Sequence, residues 1–325
     1  MRCVELRSEL KKRSLSDKGR KAILIERLES SIRQQNLETA ETIQNLETAK
    51  TLRPQKRHGS TFRSALPYKI CTSYYVVKEE LGRGGGAAVF RAASRKTQNE
   101  FALKKFFNGM DSESELLHEI SMMNKLSHPR FVRLIEAFQD GKNVVIIQEL
   151  IRGGELFTRL EKLSNYTEND ARECIKKLLE GMQFMHSANI AHIDLKPENI
   201  LLKSEDNHTD IKIADLGEAQ FVPKSGLSGL HGSPPYMAPE VVHPEKRFGL
   251  KADMWSIGVV TFILLSGYMP FDADTQQELF DRILECDCVF TEIWDDVSPD
   301  AKDFVQKLLC IDPAKRLSCE EALVR

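Results

Sequence analysis

Apolar residues in this chain follow two rhythms separated by a polar gap. Near the start, Leu6 and Leu10 stand four apart, and Leu24, Leu28 and Ile32 keep the same interval. That spacing lines each set along one helix face, so two short amphipathic helices are expected over residues 3–32. Ser16-Asp17-Lys18-Gly19 supplies the break, with Gly19 free to take positive φ or to let another backbone approach. Residues 33–69 lose the rhythm. They are polar and poor in aromatics, and Gln35-Asn36-Leu37-Glu38-Thr39-Ala40 recurs as Gln44-Asn45-Leu46-Glu47-Thr48-Ala49, too few copies for a solenoid. Arg53-Pro54-Gln55-Lys56-Arg57-His58-Gly59 adds a basic, helix-breaking patch, and residues 36–69 read as a linker. Lys56-Arg57 is a weak nucleic-acid or localisation signal that a solvated charge cluster explains as well.

From Tyr74 the second rhythm begins, and it is that of strands. Tyr75-Val76-Val77, the turn Leu81-Gly82-Arg83-Gly84-Gly85-Gly86-Ala87-Ala88-Val89 and then Phe90-Arg91-Ala92 predict a hairpin whose bare backbone can lie over phosphates. Phe101-Ala102-Leu103-Lys104 reads as the next strand, and residues 144–147 as a buried one. Residues 200–202 are a shorter apolar run of the same kind, and Ile211-Lys212-Ile213 reads as a strand. The longest apolar run, 257–265, is far short of the roughly 20 residues a bilayer span needs, so it reads as a buried helix and no membrane partner is expected.

Composition narrows the class. Of 325 residues, 41% are hydrophobic and 29% charged, as in globular proteins. Seven scattered cysteines without a C-x-x-C pair, Cys286-x-Cys288 being too tight for a zinc knuckle, imply a reduced, intracellular setting. Met1-Arg2 leads into a charged segment, so no signal peptide is expected. The net charge of −2 conceals an asymmetry: residues 1–69 carry +8 and the remainder −10, so the two parts should prefer different partners.

The chemistry concentrates between Asn189 and Leu202. Asp194, Lys196 and Asn199 bring a carboxylate, an ammonium and an amide to one short loop, and the apolar residues 200–202 behind them should hold it rigid. A base, a phosphate clamp and a metal ligand in one place suit phosphoryl transfer, which needs charge neutralisation, an oriented hydroxyl and bound magnesium more than covalent help.

His192-x-Asp194-Leu195-Lys196-x-x-Asn199 resembles the catalytic loop of eukaryotic protein kinases. Further motifs in the family's order carry the resemblance from about Tyr74 to Arg325. The glycine-rich turn is similar to G-x-G-x-x-G-x-V, with Gly82, Gly84 and Val89 in place and Ala87 at the third glycine. Phe101-Ala102-Leu103-Lys104 matches V-A-x-K, which implies Lys104 on the α- and β-phosphates with Glu119 as its ion-pair partner; Lys105 is the opposite-facing alternative. Gln148-Glu149-Leu150-Ile151 looks like the hinge, which implies adenine against the backbone of Glu149 and Ile151 and Gln148 as gatekeeper. Leu81, Ala102 and Leu201 complete the implied ATP-binding set, with Glu155 reaching ribose or a basic substrate residue. Asp215-Leu216-Gly217 stands where the family has D-F-G, implying Asp215 and Asn199 as magnesium ligands. Gly232-Ser233-Pro234-Pro235-Tyr236-Met237-Ala238-Pro239-Glu240 resembles the peptide-seating loop, and Arg316 is the expected partner of Glu240.

The implied fold is α+β and bilobal over residues 70–325, with a small antiparallel-sheet N-lobe at about 74–152 and a mainly helical C-lobe at about 153–325. The motifs look most like the calmodulin-kinase group, in particular its myosin-light-chain and giant-muscle-kinase branch, and Lys196 is the serine/threonine form. That implies Asp194 as base and Lys196 beside it, ATP and Mg2+ as cofactors, and Ser/Thr acceptors in protein substrates, with Glu155 and Glu198 favouring preceding basic residues. In that branch a calmodulin-binding tail often blocks the site; residues 321–325 read as part of the last helix, so none is expected here. Ile193 replaces the arginine that in many kinases meets an activation-loop phosphate, so phosphorylation of Ser225, Ser228 or Ser233 is not expected to be required.

The first helices, Val4-x-Leu6-x-x-x-Leu10-Lys11-x-Arg13-x-Leu15-x-x-x-Gly19-x-Lys21-x-x-Leu24-Ile25-x-Arg27-Leu28, resemble the SAP module, a two-helix unit whose family binds A/T-rich DNA. The resemblance places a small module at residues 1–35, with Lys18, Arg20 and Lys21 as phosphate contacts. A nuclear location follows if that module binds DNA; otherwise cytoplasm or cytoskeleton is expected. A pseudokinase scaffold and a DNA-tethered interaction protein are the alternatives. Intact Lys104, Glu119, Asp194, Asn199 and Asp215 weigh against the first of these.

Overall fold

The computed structural model describes residues 73–83, 86–106, 113–140, 143–163, 166–288 and 290–325. Gly84, the linker and the SAP-like module with Lys18, Arg20 and Lys21 lie outside the described residues.

Five strands form one antiparallel sheet in the order β1-β2-β3-β5-β4. They are β1 (Tyr75–Arg83), β2 (Ala87–Ser94), β3 (Glu100–Phe106), β4 (Leu134–Asp140) and β5 (Asn143–Glu149), with helix α1 (Glu113–Lys125) between β3 and β4. The continuous apolar run of β5 has a direct cause. Val145 and Ile147 pack with Tyr75, Ala92, Leu103 and Phe138 on one side, while Val144 and Ile146 join the main core on the other. A strand covered on both faces has no polar side to show. Tyr75 sets edge-on contacts with Phe101 and Phe138 at 5.7 and 6.1 Å.

The larger lobe is helical: α2 (Leu156–Leu163), α3 (Glu168–Ser187), α4 (Pro239–Val242), α5 (Lys251–Ser266), α6 (Gln276–Glu285), α7 (Pro299–Leu308) and α8 (Cys319–Leu323). Thr167 and Asp170 close a capping box at the start of α3, satisfying N–H groups that the first turn leaves unpaired. Fourteen residues of α5 are buried, so the apolar run expected to be a core helix is one. Gly267 ends it at φ 75°, donating its N–H to Ile263 O. Two short ribbons cross this lobe: β6 (Ile190–Ala191) pairs with β9 (Gln220–Phe221), and β7 (Ile200–Leu202) with β8 (Ile211–Ile213). The chemistry-bearing loop therefore runs from β6 to β7, and Asp215 follows β8 directly. Among the described residues no helix is long and apolar enough to cross a membrane.

Candidate active site

Asp194 is held by its own loop and by a residue far along the chain. Its Oδ2 lies 2.8 Å from Lys196 Nζ, and Asn199 Nδ2 donates to Asp194 O at 2.8 Å. Ser233 Oγ donates to Asp194 Oδ1 and accepts from Lys196 Nζ, both at 2.8 Å. Ser233 thus does not belong with Ser225 and Ser228 as a loop hydroxyl awaiting phosphate; it closes a ring with the carboxylate and the ammonium. The ring leaves Lys196 with a raised pKa: burial opposes its charge, and the Asp194 carboxylate overcomes that.

The loop rests on α5. Asp253, fully buried, accepts the backbone N–H of His192 at 2.9 Å and of Ile193 at 2.8 Å, and its Oδ2 lies 2.8 Å from His186 Nε2. Burial works against both charges, yet the pairing holds the Asp253 carboxyl below its usual range and raises His186 to about 10. Ile193 adopts φ 74°, a conformation that β-branched residues avoid, and is only 8% exposed. The surroundings over-determine it: beyond the Asp253 contact, a Cβ added at Gly232 would stand 2.6 Å from Ile193 O, so only glycine lets the two segments meet. His192 is buried, and neither ring nitrogen is hydrogen-bonded among the described residues.

Across the cleft, Lys104 Nζ lies 2.7 Å from Glu119 Oε1 and 3.0 Å from Asp215 Oδ1. Burial disfavours the ammonium, but the two carboxylates outweigh it and its pKa is raised. Lys104 in turn holds Asp215 below the ordinary carboxylate range. The Asp215 side chain keeps 48% of its surface open, and its backbone takes φ 57°. Lys105, the neighbour on the other face of β3, is not in this triad.

The remaining sequence-derived residues fall on the cleft's walls. Gly82 and Val89 pair across the β1–β2 hairpin; Leu81 is 45% exposed, and an added Cβ at Gly82 meets nothing. Ala102 is buried on β3, paired with Gln148. Glu149 turns its Oε1 to Lys212 Nζ at 2.5 Å and to the Arg133 N–H at 2.7 Å. Gly153 N–H donates to Leu202 O at 2.9 Å, and a Cβ there would sit 2.4 Å from that oxygen. That close approach brings Glu155 into a bridge with Leu201, two residues after Asn199 and three after Glu198. Burial and then the charge of Glu198 raise the Glu155 carboxyl, and burial raises Glu198. Glu240 and Arg316 form the expected pair, bidentate at 2.7 and 2.9 Å and fully buried. A cavity of about 740 Å3 elsewhere in the C-lobe, lined by Ile175, Leu179, Phe304 and Leu323, includes none of these groups.

Sequence reasoning missed Asp253 as the loop's anchor, His186 behind it and the role of Ser233. Their partners lie 60, 67 and 39 positions away, and only the fold brings them together.

A bilobal α+β fold with a carboxylate, two lysines and an amide facing each other over a cleft defines a phosphotransferase. Comparison with known proteins agrees. The family model for the protein kinase domain matches residues 75–325, and the chain belongs to the protein kinase family. The SAP domain model matches residues 1–33. Myosin light chain kinase A of Dictyostelium discoideum is 40% identical over 254 residues, covering 77% of this chain and 86% of that protein. Calcium/calmodulin-dependent protein kinase type 1 of Macrobrachium nipponense is 39% identical, covering 77% and 73%. A titin homolog of Caenorhabditis elegans is 41% identical over 77% of this chain and 1% of that protein. With these relatives the chain is a protein serine/threonine kinase, of the calmodulin-kinase group.

Proposed function

We propose that this kinase transfers the γ-phosphoryl of ATP to Ser or Thr hydroxyls with Asp194 as the base, and that it does so without a phosphate on its own activation loop. The ring of Asp194, Lys196 and Ser233 carries the reading: it presents a carboxylate with a fixed orientation and an ammonium beside it. Asp194 would orient the acceptor hydroxyl and take its proton, and Lys196 would neutralise charge on the moving phosphoryl. Lys104 would hold the α- and β-phosphates, kept in place by Glu119. The donor set suits magnesium, a hard cation: the half-open Asp215 carboxylate, and the Asn199 amide, whose nitrogen is engaged with Asp194 O while its oxygen is the ligand-type atom. When bound, that ion would neutralise phosphate charge. A scaffold would have no physical need of so complete an assembly.

The loop is held by contacts that need no phosphate. His118 Nε2 donates to Ala219 O at 2.5 Å, Lys125 stands 4.4 Å over the Phe221 ring, and His231 Nδ1 is 3.6 Å from Glu218. Ile193 packs in the core beneath. Glu155, which bridges to Leu201, and Glu198 on the catalytic loop would favour substrates with basic residues before the acceptor. Incubation with labelled ATP, magnesium and an arranged peptide library tests activity and preference together; no transfer to any peptide would sink the reading.

For residues 1–35 we propose weak binding to A/T-rich duplex DNA through Lys18, Arg20 and Lys21, and with it a nuclear location; the SAP match and the +8 charge of residues 1–69 support this. Affinity should fall steeply with salt, and changing the three to alanine should flatten the slope. Salt-independent binding would argue for a protein-interaction hairpin instead.

A further inference from the structure

Glu119 sets Lys104 from helix α1, and its neighbour on that helix makes a contact of a different kind. Consecutive helical side chains diverge by about 100°. While Glu119 turns to the cleft, His118 Nε2 lies 2.5 Å from Ala219 O, 101 positions along the chain. A carbonyl oxygen only accepts, so Nε2 carries the proton. Ala219 is buried, which leaves its carbonyl dependent on that donor more than a solvated one would be. Seven residues further along α1, Lys125 stands 4.4 Å over the Phe221 ring. Seven residues make about two turns, so His118 and Lys125 share one face, about 10 Å apart along the axis. Both meet the short segment from Ala219 to Phe221.

That segment belongs to the support of the base. Gln220 on β9 pairs with Ala191 on β6, and the next residue, His192, gives its N–H to Asp253. Upstream, Ala219 N–H donates to Leu216 O at 3.2 Å, closing the turn that follows Asp215. A Cβ added at Gly217 in this turn would stand 3.5 Å from Asp215 Oδ1 and 3.8 Å from Glu119 Oε2. The core-facing residues of α1, Ile120, Met122 and Met123, are apolar. Apolar burial is non-directional, so it holds the helix down without fixing its rotation, whereas a hydrogen bond to a buried carbonyl constrains both distance and angle.

We propose that His118 is a positioning residue for phosphoryl transfer: its bond to Ala219 O, with Lys125 on Phe221 as the second point, fixes the rotation of α1 and through it Glu119 and Lys104. This rests on the reading of Lys104 as the phosphate clamp. His118 acts through Glu119 and is not one of the reacting groups.

The test is a double-mutant cycle on the full chain, assayed with ATP, magnesium and a basic peptide. His118→Leu should lower kcat/KM for ATP about tenfold while KM for the peptide stays within about twofold, because the Asp194 loop keeps its hold on Asp253. His118→Gln retains an N–H donor and should stay within about threefold of the parent. Lys125→Ala should cost about two- to threefold. In a Glu119→Gln background, His118→Leu should add less than about twofold, since both changes act on the same lysine. A residue that served folding alone would multiply with Glu119→Gln and lower kcat/KM for both substrates alike; that result, or full activity of His118→Leu, or no recovery in His118→Gln, overturns the inference. Should urea unfolding show His118→Leu to be unfolded, His118→Asn, whose amide is too short to reach Ala219 O, takes its place in the cycle. If Glu119→Gln lowers kcat/KM and the His118 variants do not, the positioning role fails and the clamp reading stands. An unchanged kcat/KM in Glu119→Gln overturns both.

Discussion

Asp194 and Lys104 face each other across the cleft, and the protein secures them by different means. The loop of Asp194 is fastened through backbone N–H groups to Asp253, on a helix buried over nearly its whole length. The ammonium of Lys104, at the end of a long side chain, is held by carboxylates on α1 and after β8, while β1, one strand removed from β3, is exposed at all but its first residue. A backbone tied to a buried carboxylate moves only when the core moves. A long side chain between two carboxylates can lose one partner and keep the other. The base is thus fixed by folding, while the clamp depends on where α1 sits, which makes the N-lobe the side on which activity can be adjusted without loss of stability.

Substitutions can break that contrast. Asp253→Ala should have the largest effect: it strands His186 and two buried N–H groups, so unfolding free energy should fall by about 3–5 kcal/mol, with activity falling alongside. Urea unfolding measures it, and a loss under 1 kcal/mol would mean the platform is not what holds the loop. Asp194→Asn should next cut kcat by a factor on the order of 10²–10⁴ while nucleotide binding survives, because Lys104 and Asp215 are untouched. Equal turnover in variant and parent would sink the assignment of the base. Glu119→Gln should lower kcat/KM about 10- to 100-fold through a misplaced Lys104, yet destabilise less than Asp253→Ala, since Asp215 still pairs with the lysine. If it unfolded the protein as readily, the two sides would not differ.

Acidity sharpens the same comparison at smaller scale. His186 has a folded pKa raised to about 10 against an ordinary value of 6.5, so its contribution is full below about pH 6.5 and is lost as pH rises through about 10. The lowered Asp253 carboxyl acts in the opposite sense, its contribution present above its ordinary value and lost in acid. Stability should therefore decline on the alkaline side, and His186→Gln should remove that part of the slope in denaturant titrations at pH 6.5, 8 and 9.5. The smallest effect is expected from Ser225→Ala with Ser228→Ala, where turnover should stay within about twofold, well under the 1.36 kcal/mol that makes a decade. A large loss on phosphatase treatment, restored by another kinase, would show that a phosphate holds the loop after all.

What could be read before the fold was known depended on distance along the chain. Asp194, Lys196 and Asn199 lie within six positions, so their chemistry shows in the sequence itself. Strands with a plain apolar signal, such as residues 144–147, were equally legible. β4 was not singled out, because Leu134-Ile135-Glu136-Ala137-Phe138 carries no clean alternation and gains its place only by pairing with β5. Glu149 was read as hinge backbone, but nothing local announces that its carboxylate turns to Lys212, 63 positions on.

By itself the sequence determined which groups are available for phosphoryl transfer and which segments must be buried, because residue type and short-range periodicity act within one turn or one strand. Only the tertiary structure decided that Ser233 closes the ring at Asp194, that Asp253 carries the loop and that Glu198 Oε2 and Tyr236 Oη find no hydrogen bond among the described residues. Those outcomes depend on backbones meeting at close range, Gly232 against Ile193 and Gly153 against Leu202, and such meetings are settled when the whole core packs.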